Sequence, residues 1–118
     1  MAATPEGKVK AMIKRRLQEQ GFAPAGKPMT GRWYWMPVQG AIGTVHGIPD
    51  FVGLDAGYFW AIEAKAADGQ PTDNQQARMG EIMEAGGFVM VVRTEDDMDV
   101  FFDKLEAHKH GREPLRAC

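Results

Sequence analysis

Asp50, Glu63 and Lys65 are the residues of this chain whose types and spacing could do chemistry together. Glu63 and Lys65 stand two apart in FWAIEAKAADG (59–69), a segment that otherwise reads as a β-strand. Strand side chains alternate, so both charges leave one face and Ala64 leaves the other. Phe59 and Ala61 share the Glu63 face; Tyr58, Trp60, Ile62 and Ala64 share the opposite one. Two largely apolar faces predict an interior strand of a covered sheet, where charge is costly unless paired or bound.

A turn around Asp55-Ala56-Gly57 folds a preceding strand, Pro49–Leu54, back onto this one. Two registers are open, placing Asp50 opposite Ile62 or opposite Glu63. In the second, the two carboxylates are direct cross-strand neighbours, ~5 Å apart at Cβ. They repel, and nothing in the sequence obviously neutralises both; a divalent cation would. Hard cations such as Mg²⁺ take carboxylate and carbonyl oxygens, which makes the Ala64 carbonyl a candidate third ligand. The competing reading is an edge-strand salt pair between Glu63 and Lys65, with Asp50 capping a turn after Pro49.

The surrounding pattern predicts the elements that hold these residues. Thr4-Pro5-Glu6 starts a helix, Val9, Met12, Ile13 and Leu17 mark its apolar face, and Gly21 stops it. Residues 22–32 read as loop and RWYWMPV as a strand, with Pro37 at its end or edge. Residues 39–47 form a glycine-punctuated connection. After the Tyr58–Lys65 strand, Thr72–Ala85 is a helix with Thr72 and Gln75 spaced as a capping box. FVMVV (88–92) is a strand, and Glu95–His108 a last helix burying Met98, Phe101, Phe102 and Leu105. The order α-β-β-β-α-β-α predicts an antiparallel meander followed by a parallel β-α-β unit, in a mixed sheet with helices on its faces.

Two helix residues are placed to join the acids. Met79, Ile82 and Met83 mark the inner face of the 72–85 helix, and Gln75 lies on it, near the end of the Glu63 strand. Glu6 extends the inner face of the first helix toward the same cluster, or simply favours that helix's N-terminus.

Pro49-Asp50 and Glu63-Ala64-Lys65 in this frame resemble the PD-(D/E)XK nuclease superfamily. More narrowly, GIPDFVGLDAGYFWAIEAKAADGQPTDNQ followed by GGFVMVV is similar to virus-type replication-repair nuclease (VRR-NUC) domains, including small stand-alone phage versions. The resemblance spans about Glu6 to Val92. It implies a restriction-endonuclease-like α-β-β-β-α-β core with a mixed four-stranded sheet, one nuclease domain over 1–108 and a disordered tail over 109–118. It implies Mg²⁺ or Mn²⁺ on Asp50, Glu63, the Ala64 carbonyl and, less directly, Glu6. Lys65 would orient the attacking water and stabilise charge on the phosphate, and Gln75 would hold water or phosphate. Relatives of this size imply a homodimer that cuts branched DNA such as four-way (Holliday) junctions. Trp33-Tyr34-Trp35 and Gln39-Gly40 depart from the simplest family pattern and leave substrate preference open.

Charge distribution agrees with a phosphate partner without requiring one. Residues 1–46 hold seven Lys/Arg against two acids; residues 47–118 hold seven against fourteen. Lys8, Lys10, Lys14, Arg15, Arg16, Lys27 and Arg32 are the candidate nucleic-acid contacts, or a solvated helix face. Trp33 and Trp35 either stack on unpaired bases or pack in the core or a dimer. His46 reads as a loop histidine and His108 and His110 as members of a frayed end. Glu95, Asp96, Asp97 and Asp99 suit a helix N-terminus.

With 118 residues, 44% apolar and 25% charged, the composition is that of an ordinary globular domain. No apolar run reaches the ~18 residues of a membrane span, and MAATPEGKVK has no signal-like apolar region, which predicts an intracellular, cytoplasmic protein with no membrane partner. The lone Cys118 excludes an intramolecular disulfide or cysteine-metal cluster. Two readings compete with a nuclease: a catalytically silent nucleic-acid-binding module of the same fold, and a phage accessory or interaction protein in which the acids meet by accident.

Overall fold

The computed structural model of the chain describes residues 3–28, 30–38 and 45–111. Three helices and five strands follow in the order α1 (Pro5–Glu19), β1 (Ala23–Pro24), β2 (Arg32–Trp35), β3 (Phe51–Asp55), β4 (Tyr58–Ala64), α2 (Asp73–Glu84), β5 (Phe88–Val92) and α3 (Glu95–Gly111). They form one five-stranded mixed sheet in sequential order. The β2-β3 and β3-β4 pairs are antiparallel, while β1-β2 and β4-β5 are parallel. The meander and the parallel β-α-β unit are as the pattern predicted. The fifth strand is not: β1 lies in the 22–32 segment read as loop. Two residues, one of them Pro24, carry too little periodicity to announce a strand.

Ala56 and Gly57 fix the register. Both take positive φ, 51° and 87°, and Asp55 pairs with Tyr58 across them. Two positive-φ central residues make the hairpin turn whose twist matches its strands. Phe51 then pairs with Ile62, and one step further along the same register Asp50 faces Glu63. Asp50 itself stands just before β3, so the strand begins two residues later than Pro49. With β3 and β5 on either side, β4 is an interior strand.

α1 and α3 cover one face of the sheet. Ile13 and Leu17 of α1 and Met98, Phe101 and Leu105 of α3 pack on Tyr34, Phe51, Trp60, Ile62, Ala64 and Val92. Gly53 makes room for this: a Cβ there would lie 2.3 Å from the Trp60 ring. Trp60 meets Phe22 and Phe101 edge-on at 5.4 Å between ring centroids. Full burial of such rings contributes on the order of 2–3 kcal/mol each.

The other face is only partly covered. α2 approaches beside β5, where Ile82 and Phe59 close over Gly87. Trp35, Leu54 and Phe59 stay exposed, so Trp35 is not core. Met83, expected on the buried face of α2, is 56% exposed because the sheet ends under the helix at β5.

α3 is anchored at both ends. At its start Thr94 and Asp97 form a reciprocal cap, Asp97 N–H donating to Thr94 Oγ1 and Asp97 Oδ2 accepting from Thr94 N–H. Glu95 pairs with Arg15 and Arg16, and Asp99 with Arg16. Among the four acids, then, Glu95 and Asp99 also tie α3 to α1. At its end Lys109 reaches buried Asp55 at 2.8 Å. The helix therefore continues through Gly111, into what was expected to be a disordered tail. His108 is packed against Phe88 and Tyr58 rather than frayed. Residues 112–118, with Cys118, and Gln39-Gly40 lie outside the described residues. Among the described residues no helix is long and apolar enough to cross a membrane.

Candidate metal centre

Asp50 and Glu63 meet where β3 begins and β4 ends. Glu63 is 1% exposed and Asp50 8%. Asp50 Oδ2 accepts the backbone N–H of Ala64 at 2.8 Å, which fixes one side of its carboxylate. The next N–H, that of Lys65, points to β5 and donates to Val92 O. A strand residue's N–H and C=O leave toward the same neighbour, so the Ala64 carbonyl lies on the Asp50 side of β4. The two carboxylates and this carbonyl are thus collected at one place, as expected from the register.

Desolvation pushes the Glu63 carboxyl up to about 9, with further upward contributions from its hydrogen bond to Asp50 and the charges of Asp50 and Glu6. Lys65 pulls the other way. The Glu63 carboxyl therefore holds its proton more tightly than an isolated carboxyl does. Glu63 Oε2 is buried with no hydrogen-bond partner. An orphaned buried carboxylate oxygen beside a second acid is the kind of group a cation satisfies.

Lys65 is 8% exposed, its Nζ 3.9 Å from Glu63 Oε1 and 3.7 Å from Glu6 Oε1. Glu6 thus reaches the cluster, as the apolar stripe of α1 allowed. Lys10 also reaches it, 3.3 Å from Asp50 Oδ1 and 3.8 Å from Glu6 Oε2. Lys10 was expected among phosphate-tracking surface residues, with nothing to neutralise the acids; in the fold two lysines do so. The signal was present, since Glu6, Lys10, Ile13 and Leu17 form one i, i+4, i+7, i+11 stripe.

Gln75 is held by the capping box: its Oε1 accepts Thr72 N–H at 2.9 Å, and Thr72 Oγ1 accepts Gln75 N–H at 3.2 Å. Its side chain is thus engaged in the cap, and no hydrogen bond among the described residues joins it to Asp50, Glu63 or Lys65. Gly47 seats the chain leading to Asp50 directly on this turn of α2, where a Cβ would lie 2.4 Å from the Asn74 carbonyl.

The remaining basic candidates divide. Arg15 and Arg16 pair with α3 acids, and Arg32 spans Asp55 at 3.3 Å, Gln20 O and the Phe22 ring. Lys8, Lys14 and Lys27 are exposed, as is His46.

The donor set fits a hard divalent cation: two carboxylates, one with an orphaned oxygen, and a carbonyl. Among the described residues no three His, Cys, Asp or Glu side chains form a cation cage by themselves. A Mg²⁺-type ion, which keeps several waters and shares phosphate oxygens, does not require one. No family model, curated protein or solved structure matches this chain.

Proposed function

We propose that the chain is a metal-dependent DNA endonuclease with the restriction-endonuclease-like core of VRR-NUC domains. The observation that carries the reading is the buried Asp50–Glu63 pair with its orphaned oxygen, with Lys65 beside it directly after the interior strand β4. A cation bound between the two acids would take up that oxygen and offset the repulsion of the paired charges.

Asp50, Glu63 and the Ala64 carbonyl would hold Mg²⁺ or Mn²⁺, which when bound supplies Lewis-acid chemistry and charge neutralisation at a phosphodiester. Lys65, fixed between Glu63 and Glu6, stabilises negative charge developing on the phosphate and orients the attacking water. Gln75 offers its NH₂ to water or a phosphate oxygen. Glu6 positions the two lysines. None of these groups reads a base, so selectivity rests on shape and on phosphate contacts, with exposed Lys8, Lys14 and Lys27 as candidates. From the resemblance, the acting form is a two-fold homodimer and the substrate branched DNA. A monomer in gel filtration at micromolar concentration contradicts the dimer.

The test is cleavage of duplex, flap and four-way-junction DNA with Mg²⁺ or Mn²⁺. Metal-dependent cleavage lost in Asp50→Ala and Lys65→Ala supports the nuclease. Binding without cleavage supports a silent nucleic-acid-binding module, and neither supports an accessory protein.

A further inference from the structure

Asp50 has two oxygens, and they are held in different ways. Oδ2 is tied to the Ala64 N–H, part of the join between β3 and β4. Oδ1 faces Lys10 Nζ at 3.3 Å. Oδ1 carries no backbone bond, so both of its lone pairs are open to a cation, and it is the oxygen Lys10 now faces. Lys10 is the movable partner: its ammonium is a point charge on a flexible stem, and its side chain is 34% exposed where that of Asp50 is 9%. The Lys65 side chain, by contrast, is 10% exposed and held between Glu63 and Glu6.

The two lysines therefore differ in what they can do. Resting on the nuclease reading above, we propose that Lys10 is the counter-ion of Asp50 that the divalent cation displaces, and that its released ammonium then binds the substrate phosphate. Glu6 Oε2, 3.8 Å from Lys10 Nζ and one helical turn before it, keeps the released ammonium at the mouth of the site. This makes α1 more than a basic surface: one of its lysines exchanges between the site's own acid and the substrate. Removing the charge should strengthen metal binding, because competition and like-charge repulsion both disappear, while weakening DNA binding. A lysine that merely supports the fold would do neither.

The experiment is calorimetric titration of Mn²⁺ into wild type, Lys10→Met, Lys10→Arg and Asp50→Asn, with circular dichroism melts confirming that each is folded. DNA affinity is measured in parallel in Ca²⁺. Lys10→Met should bind Mn²⁺ about tenfold more tightly than wild type, and junction DNA about tenfold more weakly. Lys10→Arg, which keeps the charge, should stay near wild type in both, and Asp50→Asn should lose Mn²⁺ binding. Unchanged or weaker Mn²⁺ binding by folded Lys10→Met, with wild type binding normally, overturns the role of Lys10 and leaves the nuclease reading standing. Absence of Mn²⁺ binding by wild type overturns both.

Discussion

The carboxylate of Asp50 accepts the backbone N–H of Ala64 at 2.8 Å, so the acid that precedes β3 is fastened to the residue following Glu63 on β4. This bond brings two acids together in an interior part of the sheet and orients one of them. It also explains how the pair is accommodated: Asp50 is hydrogen-bonded and paired with Lys10, and burial favours the protonated form of Glu63.

Mg²⁺ should stabilise the protein. At a hundredfold excess over its dissociation constant, a cation bound only by the folded state adds about 2.7 kcal/mol. We expect a rise of several degrees in melting temperature at millimolar Mg²⁺, blunted in Glu63→Gln. An identical response from both proteins would place the ion elsewhere.

Without metal, stability should fall as pH rises. The folded-state value for Glu63 is raised to about 9 from an ordinary value of 4.5. Its contribution is therefore fully present below about 4.5 and lost progressively up to about 9, at a limiting slope of about 1.4 kcal/mol per pH unit. Denaturant midpoints in EDTA at pH 5.5, 7 and 8.5 should separate wild type from Glu63→Gln, with the Glu63→Gln variant the more stable at high pH. Binding of a cation requires the ionised carboxylate, so the Mg²⁺ response should grow over the same range. Parallel curves for the two proteins would contradict the buried, protonated Glu63.

Asp55 is an acid of a different kind. It is 4% exposed and paired with Lys109 at 2.8 Å and Arg32 at 3.3 Å, joining β3 to the end of α3 and to β2. Asp55→Ala should cost about 3 kcal/mol in urea unfolding, because Lys109 and Arg32 lose the buried carboxylate they share and keep only Glu106 as an acidic partner among the described residues. The Mg²⁺ response of the folded variant should persist. A lost response would make Asp55 part of the site.

Gly47 has φ 88° and lies against the Asn74 backbone. Gly47→Ala should cost about 1–3 kcal/mol through the strained conformation, and it should shift Asp50 relative to Gln75. Reduced cleavage at a temperature where the variant is fully folded is the expected result; wild-type cleavage and stability would show that this seat does not position the site.

Much of the centre was legible in the sequence because it is local. Strand alternation places Glu63 and Lys65 on one face, and the Ala56-Gly57 turn chooses between two registers that the residues alone left open. Lys10 was harder to place. A helix stripe says which residues share a face, but only docking of α1 on β4 says what that face meets. Lys109 was missed for a related reason: its partner Asp55 stands 54 residues earlier, and no local pattern signals the pairing. Met83 fits the helical stripe and is exposed nonetheless, because α2 overhangs the edge strand β5.

The central claim, that Asp50 and Glu63 form a cation site, is tested most directly by anomalous diffraction from crystals soaked in Mn²⁺. We predict one strong peak at coordination distance, ~2.2 Å, from an oxygen of each carboxylate, absent from Asp50→Asn crystals. A well-ordered site with no anomalous density between the two acids would contradict it.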